Sequence, residues 1–174
     1  MENQEHVPDY TKLNRANDVV KNYMMWTGAA GIIPVPIVDF AAISAIQLNM
    51  LNKIGEIYGY KFSANWGKEV IGSMVGGYLS TTIGNGIGLR IVKAIPIIGG
   101  IASSLVVPGL AAGSTWALGQ IFITHFESGG TVLDFDPKKY KDHFTEMIKK
   151  YTAKLHSATE PAPAPAAETT TKKK

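Results

Sequence analysis

Between Glu69 and Glu127 the chain carries two charged side chains, Arg90 and Lys93, and residues 94–124 carry none. That run exceeds the roughly 20 residues a helix needs to cross a bilayer. It must be covered by lipid or by protein, and helices meet either demand because they satisfy their own backbone. Pro96 and Pro108 divide the run into residues 97–107 and 109–124. Neither piece is a clear span. The pattern predicts a helical hairpin, a re-entrant segment or the buried pair of a soluble bundle.

The 174 residues suffice for one domain. Cysteine is absent, which excludes disulfides, thiolate catalysis and Cys-based zinc sites. Charged residues make up 18% of the chain, below the roughly 25% of ordinary soluble domains. The net charge of +3 is unevenly placed: residues 1–136 sum to −2 and residues 137–174 to +5. A basic, nucleic-acid-reading surface on the body is therefore not expected. Met1 to Asp9 is polar and acidic, so no secretory signal is expected there.

Helical spacing recurs on both sides of the apolar run. Leu13, Ala16, Val20, Tyr23 and Thr27 predict a helix over about 13–30, ended by Gly28 and Gly31. Pro34 and Pro36 then force an extended connection. Asp39 is placed to cap a helix over about 40–58, whose apolar face is Ile43, Ile46, Met50, Ile54 and Ile57. Gln47 falls inside that face and reads as a core amide paired with a neighbouring helix. Ser63 is a cap for a third helix over about 64–89. There Gly72, Gly76, Ser80, Gly84 and Gly88 recur every four residues and predict a smooth ridge for close helix packing.

Ser128-Gly129-Gly130 predicts the end of the last apolar helix, and Thr131 to Phe135 a short extended segment. Asp136 caps the next helix, with Pro137 in its first turn. Tyr140, Phe144, Met147, Ile148, Tyr151 and Leu155 form an apolar stripe. Lys138, Lys139, Lys141, Lys149 and Lys150 occupy much of the rest, the pattern of an amphipathic helix able to meet an anionic membrane surface. From Glu160 the Pro-Ala and Thr-Lys runs predict a disordered tail.

Chemistry is sparse. His125, Glu127, Asp134 and Asp136 form the best polar cluster, read as a helix end, a turn and a cap rather than a metal site. No His-Glu-x-x-His spacing exists. Ser103-Ser104 lacks a nucleophile elbow. Gly84-Asn85-Gly86-Ile87-Gly88 has the outline of a phosphate loop but follows a helical pattern rather than a strand. No catalytic residue, cofactor or metal is expected. Trp26, Trp66 and Trp116 read equally as interfacial anchors or as core aromatics.

Four motifs occur in order: Ile33-Pro34-Val35-Pro36 with Asp39; Ile71-Gly72-Ser73 with Gly76-Gly77; Lys93-Ala94-Ile95-Pro96 with Gly99; and His125-Phe126-Glu127-Ser128-Gly129-Gly130-Thr131 with Leu133-Asp134-Phe135-Asp136. Together they resemble the bacterial GTPase-associated membrane domain called domain of unknown function 697, over about residues 14–151. The resemblance implies an α-helical, often membrane-associated module that is frequently fused to a small GTPase domain or encoded beside one. No catalytic residues are established for the family. This chain has no phosphate-loop motif, since Gly67-Lys68 is followed by Glu69, and Asn52-Lys53-Ile54-Gly55 is not a guanine-reading motif. A GTPase partner would act in trans.

The expected protein is an all-α bundle of about five to six helices with a Gly-rich apolar central pair or hairpin. Residues 1–12 form a polar lead-in, 13–157 one helical domain and 158–174 a disordered tail. Its expected role is a non-enzymatic, membrane-associated scaffold at the bacterial inner membrane or its cytoplasmic face. Membrane lipid, a GTPase or a second copy are the expected partners, and nucleic acid is not. Behind this stand a soluble, cytoplasmic all-α interaction module and, last, a metal-dependent hydrolase centred on His125. Because the positive charge is appended at the C-terminal end, any electrostatic membrane contact is expected to be lost on deleting residues 137–174 while the apolar core still inserts or folds.

Overall fold

A computed structural model describes residues 10–30, 38–84 and 106–159, and every described element is helical or a turn. The expected all-α bundle is what forms. Helix α1 spans Tyr10–Ala30 and α2 spans Val38–Tyr58. Helix α3, Ala64–Ile71, passes through a π-helical turn at Gly72–Gly76 into α4, Gly77–Gly84. Helix α5 spans Val106–Glu127 and α6 spans Pro137–Thr159.

Helix α5 is the axis of the bundle, packed against α1, α2 and α6. It can be central because it is nearly all small or apolar, with Ala111, Ala112, Gly113, Ser114, Thr115, Ala117, Leu118 and Gly119 buried in succession. Small residues let the neighbours come close. A Cβ at Gly119 would stand 2.5 Å from Val20 Cγ2 of α1, and one at Gly113 would stand 2.7 Å from the Tyr151 ring of α6. Val20 faces Gly119 and Gly28 faces Ala112, so α1 runs antiparallel to α5. Tyr140 meets His125 and Tyr151 meets Gly113, so α6 does the same. Gln47 meets Ser114 and Tyr58 meets Glu127, so α2 runs parallel to α5.

Glycine sets two of the boundaries. Gly59, at φ 82°, closes α2: its N–H reaches Glu56 O and the Tyr60 N–H reaches Gly55 O. This paired 5→2 and 6→1 closure is the Schellman motif, and its left-handed residue is nearly free of strain only as glycine. Ser63 caps α3 as expected, its Oγ accepting from Trp66 N at 3.2 Å. Pro137 opens α6, with Asp136 Oδ1 accepting from Lys138 N at 3.0 Å.

Several expectations are corrected. Helix α2 begins at Val38, so Asp39 lies in its first turn and not at the cap. Pro108 sits in the first turn of α5, where its missing N–H costs no helical bond, and residues 97–105 of the piece expected before it lie outside the described residues. Within the expected short extended segment Thr131 to Phe135, residues 132–134 form a turn. The central close pair is α5 with α1, not α5 with the Gly72–Gly84 ridge. Helix α6 is not merely appended: it buries Phe144 and Ile148 completely in the core and is part of the body. Pro34, Pro36, Gly88, Pro96, the Gly84–Gly88 phosphate-loop outline after its first residue, and the tail from Glu160 lie outside the described residues.

Candidate functional site

The densest polar constellation joins α5 to α6. Helix α5 ends on Gly129, at φ 80°, whose N–H reaches Phe126 O while the Gly130 N–H reaches His125 O, a second Schellman closure. The closure turns the chain back over the buried His125 ring. A Cβ at Gly130 would lie 2.5 Å from the ring Cε1 and Nε2, so the backbone rests on the imidazole face. His125 Nε2 is 2.8 Å from Thr131 O, and a carbonyl only accepts, so this nitrogen carries a proton. In the neutral ring Nδ1 is then the acceptor, taking the Tyr140 hydroxyl proton across 2.9 Å.

The carboxylates serve the same connection. Asp134 Oδ1 accepts from Thr131 N at 2.6 Å and from Thr131 Oγ1 at 2.7 Å, and it stands 3.5 Å from His125 Nε2. The two Thr131 donors hold its carboxyl below the usual carboxylate value. Glu127 Oε1 accepts the Tyr58 hydroxyl at 2.5 Å, tying the ends of α2 and α5. The rings of Phe122, Phe126, Phe135, Tyr140 and Trp66 pack around this pole. His125, Glu127, Gly129, Gly130, Asp134 and Asp136 are thus brought together, as a structural clasp. Both His125 nitrogens are engaged. Among the described residues no group of three or more His, Cys, Asp or Glu side chains is placed to hold a metal.

A second polar contact crosses the core. Gln47 Nε2 donates to Ser114 Oγ and Thr115 Oγ1, each at 3.1 Å, and both hydroxyls donate to Ala111 O at 2.9 Å. This is the core amide pairing expected of Gln47. Gln47 Oε1 and Ser44 Oγ are buried with no hydrogen-bond partner among the described residues.

The expected surface features are distributed differently. Lys138, Lys139, Lys141, Lys149 and Lys150 are all exposed, with Lys150 held by Glu146 at 2.9 Å. The apolar stripe of α6 faces the core, so this helix offers lysines outward rather than a free apolar face. In the ridge, Gly72 has open space around it, Ser80 is exposed and Gly76 is half-buried. The π turn breaks the four-residue repeat on which a straight ridge depends. Sequence spacing does not separate the three tryptophans, but the fold does. Trp66 and Trp116 pack against the core, whereas Trp26 is 67% exposed beside Met25, also 67% exposed. Among the described residues no helix is long and apolar enough to cross a membrane.

The family model described as "Domain of unknown function (DUF697)" matches residues 5–156. A curated relative, "Magnetosome membrane protein 22" of Magnetospirillum gryphiswaldense, is 33% identical over 135 residues, covering 78% of this chain and 69% of its own. No solved structure matches.

Proposed function

The chain belongs to the DUF697 family, and from that premise we propose that it is a non-enzymatic helical scaffold that associates with a membrane. The observation that carries the reading is the alignment over most of both chains with a relative named as a membrane protein. The fold supports it. Both ring nitrogens of His125, on which a hydrolase would centre, are engaged by Tyr140 and Thr131, and the surface of α6 presents exposed lysines suited to anionic headgroups. The scaffold acts at the bacterial inner membrane or its cytoplasmic face, with a GTPase supplied in trans or a second copy as its protein partner.

The test is co-sedimentation of the full chain with vesicles of phosphatidylcholine alone and of phosphatidylcholine mixed with phosphatidylglycerol. Pelleting with the anionic vesicles supports the reading. A chain that stays in the supernatant with both, and is monodisperse without detergent, is instead the soluble interaction module. Carbonate washing of membranes from expressing cells then separates integral from peripheral attachment.

A further inference from the structure

We infer that Gln47 and Ser44 hold a water molecule inside the seam between α2 and α5, a solvent site in the bundle core that is separate from the clasp at its end. Gln47 is fully buried. Its Nε2 donates to Ser114 Oγ and Thr115 Oγ1 of α5. Those two hydroxyls have no proton left for the other amide atom, because both donate to Ala111 O. Gln47 Oε1 and Ser44 Oγ are thus buried polar atoms without a hydrogen-bond partner among the described residues. Ser44 precedes Gln47 by three residues, and positions three apart leave a helix on the same side. Turning the amide over does not remove the demand. Its oxygen would then accept from the two hydroxyls, Ala111 O would lose both, and Nε2 would be the amide atom left unpaired.

A buried polar group without a partner forfeits the hydrogen bonds it makes to solvent in the unfolded chain. Two such groups on one side of one helix point to something bound between them. Their chemistry selects water. The occupant has to donate to an amide oxygen and to bond a hydroxyl that can donate or accept, which a water molecule does. A metal cation would need about six oxygen ligands and negative charge, and this stretch offers two neutral oxygens. The neighbouring residues, Ile43 and Ile46 of α2 and Ala111 to Thr115 of α5, carry no charge. Ala111, Ser114 and Thr115 are also small, which suits a space the size of a water molecule. Placed there, the water extends the amide network by one link. Ser44 and Gln47 then tie α2 to Ser114, Thr115 and the Ala111 carbonyl as a single chain of hydrogen bonds.

Oxygen-17 relaxation dispersion of the solvent, measured on the full chain, tests the site, because it counts long-lived internal waters and does not register exchanging hydroxyl protons. Ser44→Ala is expected to lower the dispersion amplitude by about one water relative to wild type. Gln47→Leu is expected to lower it equally while Ser114 and Thr115 stay bonded to Ala111 O. An amplitude that a folded variant of either kind leaves unchanged overturns the inference, and Ser44→Ala decides alone if Gln47→Leu does not fold. Thermal denaturation supplies an independent sign. Ser44→Ala takes a partner from the water and is expected to lower the melting temperature by about 1–3 °C, after the helix propensity of alanine has offset part of the loss. An Oγ with nothing bound to it would give the opposite sign, since its removal would free the core of an unsatisfied group. A melting temperature equal to or above that of wild type therefore also overturns the site.

Discussion

Gly129 and Gly130 are adjacent, yet glycine is required at each for a different reason. At 129 the backbone is left-handed, where a side chain costs roughly 1–2 kcal/mol, so Gly129→Ala should lower unfolding free energy by about that amount in urea titration. At 130 the limit is space: a methyl group must displace the His125 ring, and Gly130→Ala should cost more than Gly129→Ala. Asp134 supplies a pH dependence. Its carboxyl is held below the ordinary 3.8, so its contribution is complete above that value and is lost as pH falls through the lower folded one. The gap in melting temperature between wild type and Asp134→Asn should therefore be constant near neutrality and close in acid below pH 3.8. The spacing of His125, Glu127 and the Gly-Gly pair showed a helix end. That the turn folds back onto an imidazole was not legible, because it depends on a contact with Tyr140, fifteen residues on.

At the scale of elements, two glycine-bearing helices behave in opposite ways. In α5, Gly119 accepts Val20 of α1 so closely that Gly119→Ala should overpack the pair and cost about 1–3 kcal/mol, read by thermal or urea denaturation. Gly72, in the π turn, has right-handed dihedrals and open space, so Gly72→Ala should be neutral or stabilise by up to about 1 kcal/mol. The four-residue repeat of small residues drew attention to the second helix, and the close approach occurs in the first. Repeats report which residues share a face of an ideal helix; they do not report which face meets a neighbour. The amphipathic pattern of α6 was fully legible, and its lysines are exposed where the stripe predicts. Its role was less so, since a helix that reads as an appended handle completes the core through Phe144 and Ile148.

For the molecule as a whole, the uncharged run from residue 94 to 124 already required a mostly helical, buried centre. Capping residues and apolar spacing set the bounds of most helices, because those signals act within a turn or two of the chain. Removal of residues 137–174 should abolish cooperative unfolding rather than trim a tail, which a circular dichroism melt of the truncated chain will show. The sequence by itself determined the all-helical class, the family and the local closures at Ser63, Gly129 and Asp136. Tertiary structure alone decided that α5 is the axis, that His125 is clasped on both nitrogens, and that Trp26 is left outside while Trp66 and Trp116 are drawn in. The physical reason is range. Helix propensity and capping are local energies, whereas burial depends on which helix directions place which faces together, and three equivalent tryptophans become unequal only once that packing exists.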